Sequence, residues 1–214
     1  MIELRYTLVT NGSSDTVLLP ILTWLLRTRG VSCAIQPQWA DLRQLRQPKK
    51  PGLADRIRLS LDLYPCNLLF VHRDAEREPR KKRIDEITVA LAKVQSQPVL
   101  PAISVVPVRM QEAWLLFDER AIRHAAGNRS GCQPLDLPPI QDLERIPDPK
   151  SKLHEYLKRA SGLQGRRLKS FPVHRHARRV AELIDDFSPL RMLQSFTALE
   201  NDIVQIIEQQ GWAS

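Results

Sequence analysis

Strand-like and helix-like hydrophobic patterns follow one another across the first 126 residues, and that alternation limits the possible folds more than any other feature of the chain. Residues 2–10 alternate and are rich in β-formers, and "NGSS" at 11–14 is a turn signal. Residues 15–29 then carry Val17, Leu18, Ile21, Leu22, Leu25 and Leu26 at helical spacing. Gly30 ends that helix, a short second strand spans 31–36, and the basic, Pro-rich "RQPKKPG" loop precedes a helix over 53–63. A third strand covers 67–72, a charged helix 80–95, a fourth strand 103–108, and a further helix 111–125. Strands joined by helices of this length need crossover connections. The expected core is therefore α/β, a mainly parallel four-stranded sheet flanked by helices and occupying residues 1–126.

Beyond it the texture changes. A Pro-rich irregular passage is followed by helical patterns near 150–161, 174–184 and 189–209, so residues 127–214 read as a connector and a helical C-terminal addition packed on the core. The basic segment "GLQGRRLKSFPVHRHARR" within it reads as a connector or surface. No apolar run approaches the roughly 20 residues of a membrane span, and the N-terminus is strand-like instead of signal-like, so a cytoplasmic location is expected. Cys33, Cys66 and Cys132 lack the paired spacing of a zinc or redox motif and are expected as reduced thiols in or near the core. His154, His174 and His176 also lack metal spacing, and "HRHARR" reads as basic surface.

The stretch "LLFVHRDAERE" breaks from a buried strand into charge, placing Asp74 and Glu76 one residue apart at its end. In an open parallel sheet, ligands bind outside the carboxyl ends of the strands. Asn11, Ser13, Ser14 and Asp15 follow the first strand, and Arg109 and Glu112 follow the fourth, at the same edge as Asp74 and Glu76. Carboxylates gathered there repel one another unless a cation sits among them, and hard oxygen donors suit Mg²⁺ or Mn²⁺. In an extended segment Asp74 and Glu76 would point to the same side and face one ion. Each also has a structural alternative. Asp74 suits a cap for the next helix, Glu76 a first-turn charge, Asp15 an N-cap, and Glu112 an exposed helix start.

The excess of 32 Lys+Arg over 24 Asp+Glu, a net charge of +8, favours polyanionic partners. Candidate nucleic-acid contacts are Arg73, Lys81, Lys82, Arg109, Arg166 and Arg167. Arg73 and Arg109 equally suit structural ion pairs, and the run "EREPRKKR" equally suits a solvated helix face.

With those residues in place, the chain resembles a Toprim domain, the metal-dependent core of topoisomerases, primases and overcoming-lysogenization-defect nucleases. "LVTNGSSD" occupies the position of the acidic first-strand turn, and "FVHRDAE" that of the Asp-x-Asp type pair. "VPVRMQEAWLLFDE" and "FSPLRMLQSFTALEND" are similar to segments of an uncharacterised bacterial Toprim-like family associated with ABC-type ATPases in phage-defence operons. The resemblance implies a Toprim/Rossmann-like fold and Mg²⁺- or Mn²⁺-dependent hydrolysis of phosphodiester bonds in DNA or RNA. Asp74, Glu76 and Glu112 are the implied ligands, with Asn11 and Asp15 contributed by the first loop. An ABC-type ATPase partner follows from the same likeness, and homo-oligomer formation stays open.

One departure stands out. Asn11 occupies the place of the family's Glu, and an amide takes up no proton at neutral pH although its oxygen still ligates a cation. Either Asp15 or Glu112 substitutes, or the module is catalytically impaired and binds nucleic acid or docks on a partner ATPase. A small-molecule phosphohydrolase ranks last, because "NGSSD" lacks the glycines and lysine of a phosphate loop.

Overall fold

The structure, a computed structural model, describes residues 3–43, 52–94 and 99–213. Strands β1 (Glu3–Val9), β2 (Ala34–Trp39), β3 (Leu68–His72) and β4 (Ala102–Val105) form one sheet in the order β2-β1-β3-β4, with every neighbouring pair parallel. The chain moves outward from β1 to β2 and then crosses back past β1 to β3 and β4. The strand order therefore reverses between β1 and β3, which is the switch point where such sheets open a crevice at their carboxyl ends.

The sheet is covered on both faces, which explains why β3 is buried at all five positions and carries no polar alternation. Leu4, Tyr6, Leu8, Phe70 and Val105 share one cluster with Leu18, Ile21, Leu22 and Leu25 of helix α1 (Leu18–Thr28). Val9, Leu69 and Val71 turn the other way, towards Ile57 of α2 (Leu53–Leu63) and Ile87 of α3 (Arg80–Ala92).

The remaining helices are α4 (Glu119–Ala125), α5 (Pro149–Ser161), α6 (Gly165–Lys169), α7 (Val173–Leu183) and α8 (Gln194–Gln210). Apolar side chains of α4, α5, α7 and α8 join the α1 cluster, so residues after 126 share the sheet's own core, while α6 has no buried residue. Trp114 meets Phe196 edge-on at 5.3 Å and Trp24 meets Phe187 at 5.8 Å, tying the two halves through aromatic contacts.

Several expectations shift. β2 begins at Ala34 because Gly30, at φ 95°, turns the chain and Val31 instead bridges antiparallel to Ala213. Pro37 sits within β2, where an edge position tolerates a missing N–H. The single helix expected over 111–125 is two elements, a 3₁₀ turn over Gln111–Leu115 and then α4. The Asp118 side chain accepts from Ala121 N at 2.8 Å and caps the second. The basic connector contains α6, and a 3₁₀ turn spans Ile140–Arg145 inside the Pro-rich passage. Cys132 is exposed, contrary to the expected near-core position, while Cys33 and Cys66 are half-buried. Most of the "RQPKKPG" loop and residue 95 lie outside the described residues. Among the described residues no helix is long and apolar enough to cross a membrane.

Glu200 of α8 is 3% exposed and binds two guanidiniums, accepting from Arg29 Nε at 3.0 Å and Arg191 Nε at 2.9 Å. Burial pushes its carboxyl up, but the bonds from Arg191 and Arg29 outweigh that and hold it below the usual range. Removing a partner from a buried ion network strands charge, though both arginines here are more than a third exposed. Glu200→Ala is expected to lower unfolding free energy by roughly 1–3 kcal/mol, measured as the shift of the urea midpoint at constant m-value.

Candidate functional site

Three loops converge at the switch point. The first leaves β1 at Thr10 and enters a 3₁₀ turn over Ser13–Val17 that runs directly into α1. Asp15 is not the N-cap of this turn. It sits three residues after Gly12, and its Oδ2 accepts from Gly12 N at 3.1 Å, which leaves Oδ1 for the site. That Oδ1 accepts from Ser14 Oγ and from Gln111 Nε2, both at 2.9 Å.

Gln111 is the hinge of the arrangement. It is 1% exposed, its amide side chain holds Asp15, and its backbone N donates to Asp74 Oδ1 at 3.2 Å. One residue on the β4 side thus orients carboxylates from the other two loops. Asp74 caps no helix, since α3 starts at Arg80.

His72 lies beneath Asp74. Its Nδ1 is 3.0 Å from the carbonyl of Val105, an acceptor only, so Nδ1 carries a proton. Burial lowers the ring's proton affinity, which leaves a neutral imidazole whose bare Nε2 stands 3.4 Å from Asp74 Oδ1. Two acceptors at that distance need a proton or a cation between them or nearby.

The electrostatics agree. Burial, then the Asp15 carboxylate, push the Asp74 carboxyl up to about 7, against a partly offsetting hydrogen bond from Gln111 N. Glu112, 5% exposed, is likewise pushed up to about 7, mainly by burial, with Asp74 and Asp15 adding and Lys150 opposing. Lys150 Nζ is 3.8 Å from Glu112 Oε1, and the buried Oε2 has no hydrogen-bond partner. Desolvation combined with like charge is the pattern found at functional carboxylates.

Asp15, Asp74 and Glu112 are therefore brought together, whereas Glu76 is not. β3 ends at His72, and Glu76 adopts a left-handed φ of 55° in the following turn. Its side chain is 62% exposed and reaches Arg83 at 3.6 Å, so the extended geometry expected for Asp74 and Glu76 does not hold. Arg109, at φ 64°, faces it across the loops. Glu76 N donates to the Arg109 carbonyl at 3.0 Å, and Arg109 NH1 to the Glu76 carbonyl at 3.2 Å. Two non-glycine residues in the left-handed region at paired positions mark backbone strain beside the site.

Asn11 is exposed, and its Oδ1 accepts from Arg56 instead of turning towards the carboxylates. Arg73 lies 3.5 Å from Glu86. Lys81 is exposed, Lys82 pairs with Glu78 at 2.9 Å, and Arg166 and Arg167 are exposed on α6. Gln111 and His72 matter more than the sequence indicated. A neutral amide next to Glu112 carries no motif, and His72 looks like the last residue of a strand.

Among the described residues no three His, Cys, Asp or Glu side chains converge as they lie on one ion position. The donor type nevertheless fits a hard divalent cation. Asp15, Asp74 and Glu112 supply carboxylate oxygens at one edge, and Glu112 Oε2 is a buried oxygen without a partner.

Compared with known proteins, the chain matches no family model, no curated protein and no solved structure.

Asp74 and Glu112 keep their protons to higher pH when folded than their ordinary values of 3.8 and 4.5 allow, losing them only at about 7. Between those values the folded state binds more protons than the unfolded one, so the metal-free protein loses stability as pH rises through this window. At pH 8, Glu112→Gln is expected to raise unfolding free energy by about 1–2 kcal/mol, and at pH 4 the gain should vanish. Urea midpoints at both pH values measure this, and equal midpoint shifts at the two would refute it.

Proposed function

We propose that this protein is a metal-dependent nuclease whose site is the carboxylate edge between β1, β3 and β4. The observation that carries the proposal is the meeting of Asp15, Asp74 and Glu112 at the switch point, with Asp74 and Glu112 pushed up to about 7. Structural carboxylates are normally paired with cations and shifted the other way. Buried carboxylates that repel each other are a standing cost that a bound cation would remove.

Asp15, Asp74 and Glu112 would hold Mg²⁺ or Mn²⁺. Such an ion supplies charge to phosphate oxygens and acidifies a bound water. Gln111 orients Asp15 and Asp74 through its two hydrogen bonds, and the His72–Asp74 contact offers a place to hold one proton at Nε2 or Oδ1. Arg56 stands close enough to Asp15 and Arg73 to interact with both charges. Together with Lys150 it sets cations next to the carboxylates, where a phosphate backbone would need them. The Toprim-like motifs point to the same chemistry, with Asp74 at the family's acidic position and Glu76 outside the cluster. Coupling to an ABC-type ATPase in anti-phage defence rests on the sequence resemblance alone.

Asn11 favours a second reading, a nucleic-acid-binding or docking module that does not cut. Its side chain is engaged by Arg56, so the first loop offers no proton-accepting group at that position.

Calorimetric titration of Mn²⁺ separates the two. Saturable binding to the wild type, abolished in a folded Asp74→Ala, Glu112→Ala double variant, is expected, together with a loss of about 100-fold or more in cleavage of single- or double-stranded substrates. Nucleic-acid binding that survives the double substitution, with no cleavage by the wild type in Mn²⁺, would instead establish the non-catalytic module.

A further inference from the structure

Beside the carboxylate edge lies a cavity of about 290 Å³ between the first loop and helices α5 and α7. Its rim carries Ser13, Ser14, Lys150, His154, His174 and Arg178, and Glu112 also lines it. Its floor is apolar: Val17, Leu115, Leu153 and Ala177 are all buried. The N-terminal and C-terminal parts of the chain each supply a wall.

The charges on the rim are poorly compensated. Arg178 NH2 donates to Ser13 Oγ at 2.7 Å, a neutral partner, and among the described residues no carboxylate forms an ion pair with Arg178. Lys150 pairs with Glu112 at 3.8 Å, too long for a hydrogen bond, and its charge also reaches Asp74 and Asp148. The rings of His154 and His174 meet edge to face at 4.7 Å on the same rim. On the cavity lining two permanent cations stand against one carboxylate, which leaves room for an added anion. The Ser13 hydroxyl, which accepts from Arg178 and keeps its own proton, and imidazole N–H groups are ready donors to phosphate oxygens.

The size selects among phosphate ligands. A cavity of about 290 Å³ falls at the small end of ligand pockets, enough for one phosphorylated unit and not for a strand running past the carboxylates. A phosphomonoester also carries roughly −1.5 to −2 charge at neutral pH, which matches the pair of cations better than a singly charged mid-chain diester does.

We infer that this cavity is a terminal-phosphate pocket, in which Lys150, Arg178 and the Ser13 hydroxyl hold the phosphomonoester of a nucleotide while its sugar and base lie towards the apolar floor and the two histidines. The inference deepens the nuclease proposal and rests on it for the role of the ligand, which would be an end presented to the adjacent carboxylates. Binding itself needs no metal.

The test uses the full chain in EDTA, titrated calorimetrically with a short DNA oligonucleotide bearing a terminal phosphate, the same oligonucleotide ending in hydroxyls, adenosine 5′-monophosphate and adenosine. The phosphorylated member of each pair is expected to bind about tenfold tighter or more. Arg178→Gln, at an exposed rim position, should erase most of that preference while Mn²⁺ binding stays unchanged, and His174→Ala, beside the sugar and base, should weaken both members of each pair alike. Tighter binding of the oligonucleotide than of the monophosphate assigns the pocket to a polymer end, and equal binding assigns it to a free nucleotide. No phosphate preference in the wild type, or one that survives Arg178→Gln, overturns the pocket. A preference that holds in a protein that binds no Mn²⁺ keeps the pocket and removes the nuclease.

Discussion

Asp15, Asp74 and Glu112 bring carboxylates from three loops to one poorly hydrated edge of the sheet, and the surrounding structure is arranged around their mutual repulsion. Gln111 offsets part of it by donating to two of them at once. Lys150 approaches the third from α5 without closing to hydrogen-bond distance. His72 is held neutral below, its Nε2 aimed at Asp74. Each of these contacts lowers the cost of keeping acids out of water, and none of them removes it.

A sheet alone could not build this site. The helices after residue 126 pack on the α1 face of the sheet. They share the sheet's core through contacts such as Trp114 with Phe196, and Glu200 joins α8 to the end of α1 through Arg29. In doing so they carry Lys150, His154, His174 and Arg178 to the rim beside Ser13 and Ser14. Packing and electrostatics are therefore linked here, because the packing that completes the core also sets the cations facing the acids.

Legibility followed the strength of the local signal. Helix α1 was readable because Leu18, Ile21, Leu22 and Leu25 recur at helical spacing, and the strand ending at His72 because a short unbroken apolar run stops at a cluster of charge. The start of β2 was misplaced by three residues, since the pairing of Val31 with Ala213 joins positions at opposite ends of the chain. The helix expected over 111–125 is broken by Asp118, whose cap competes locally with a continuous apolar pattern.

Asp15, Asp74 and Glu112 were legible as candidates because acids after strands in a parallel sheet must gather at one edge. Glu76 was not separable from them on paper, because its left-handed backbone depends on the hydrogen bonds it exchanges with Arg109 across the loops. Gln111, His72 and Arg178 lie inside segments the sequence singles out without being candidates themselves, and their importance comes from distance: 2.9 Å to Asp15, 3.4 Å to Asp74 and 2.7 Å to Ser13. Periodicity and charge along the chain were thus sufficient for the α/β architecture and for the edge on which acids collect, since both arise from local spacing and from connection rules. Which acids lose their water, which stay exposed, and which cations stand against them depended on contacts between residues as far apart as Ser13 and Arg178, and such contacts exist only once the chain has packed.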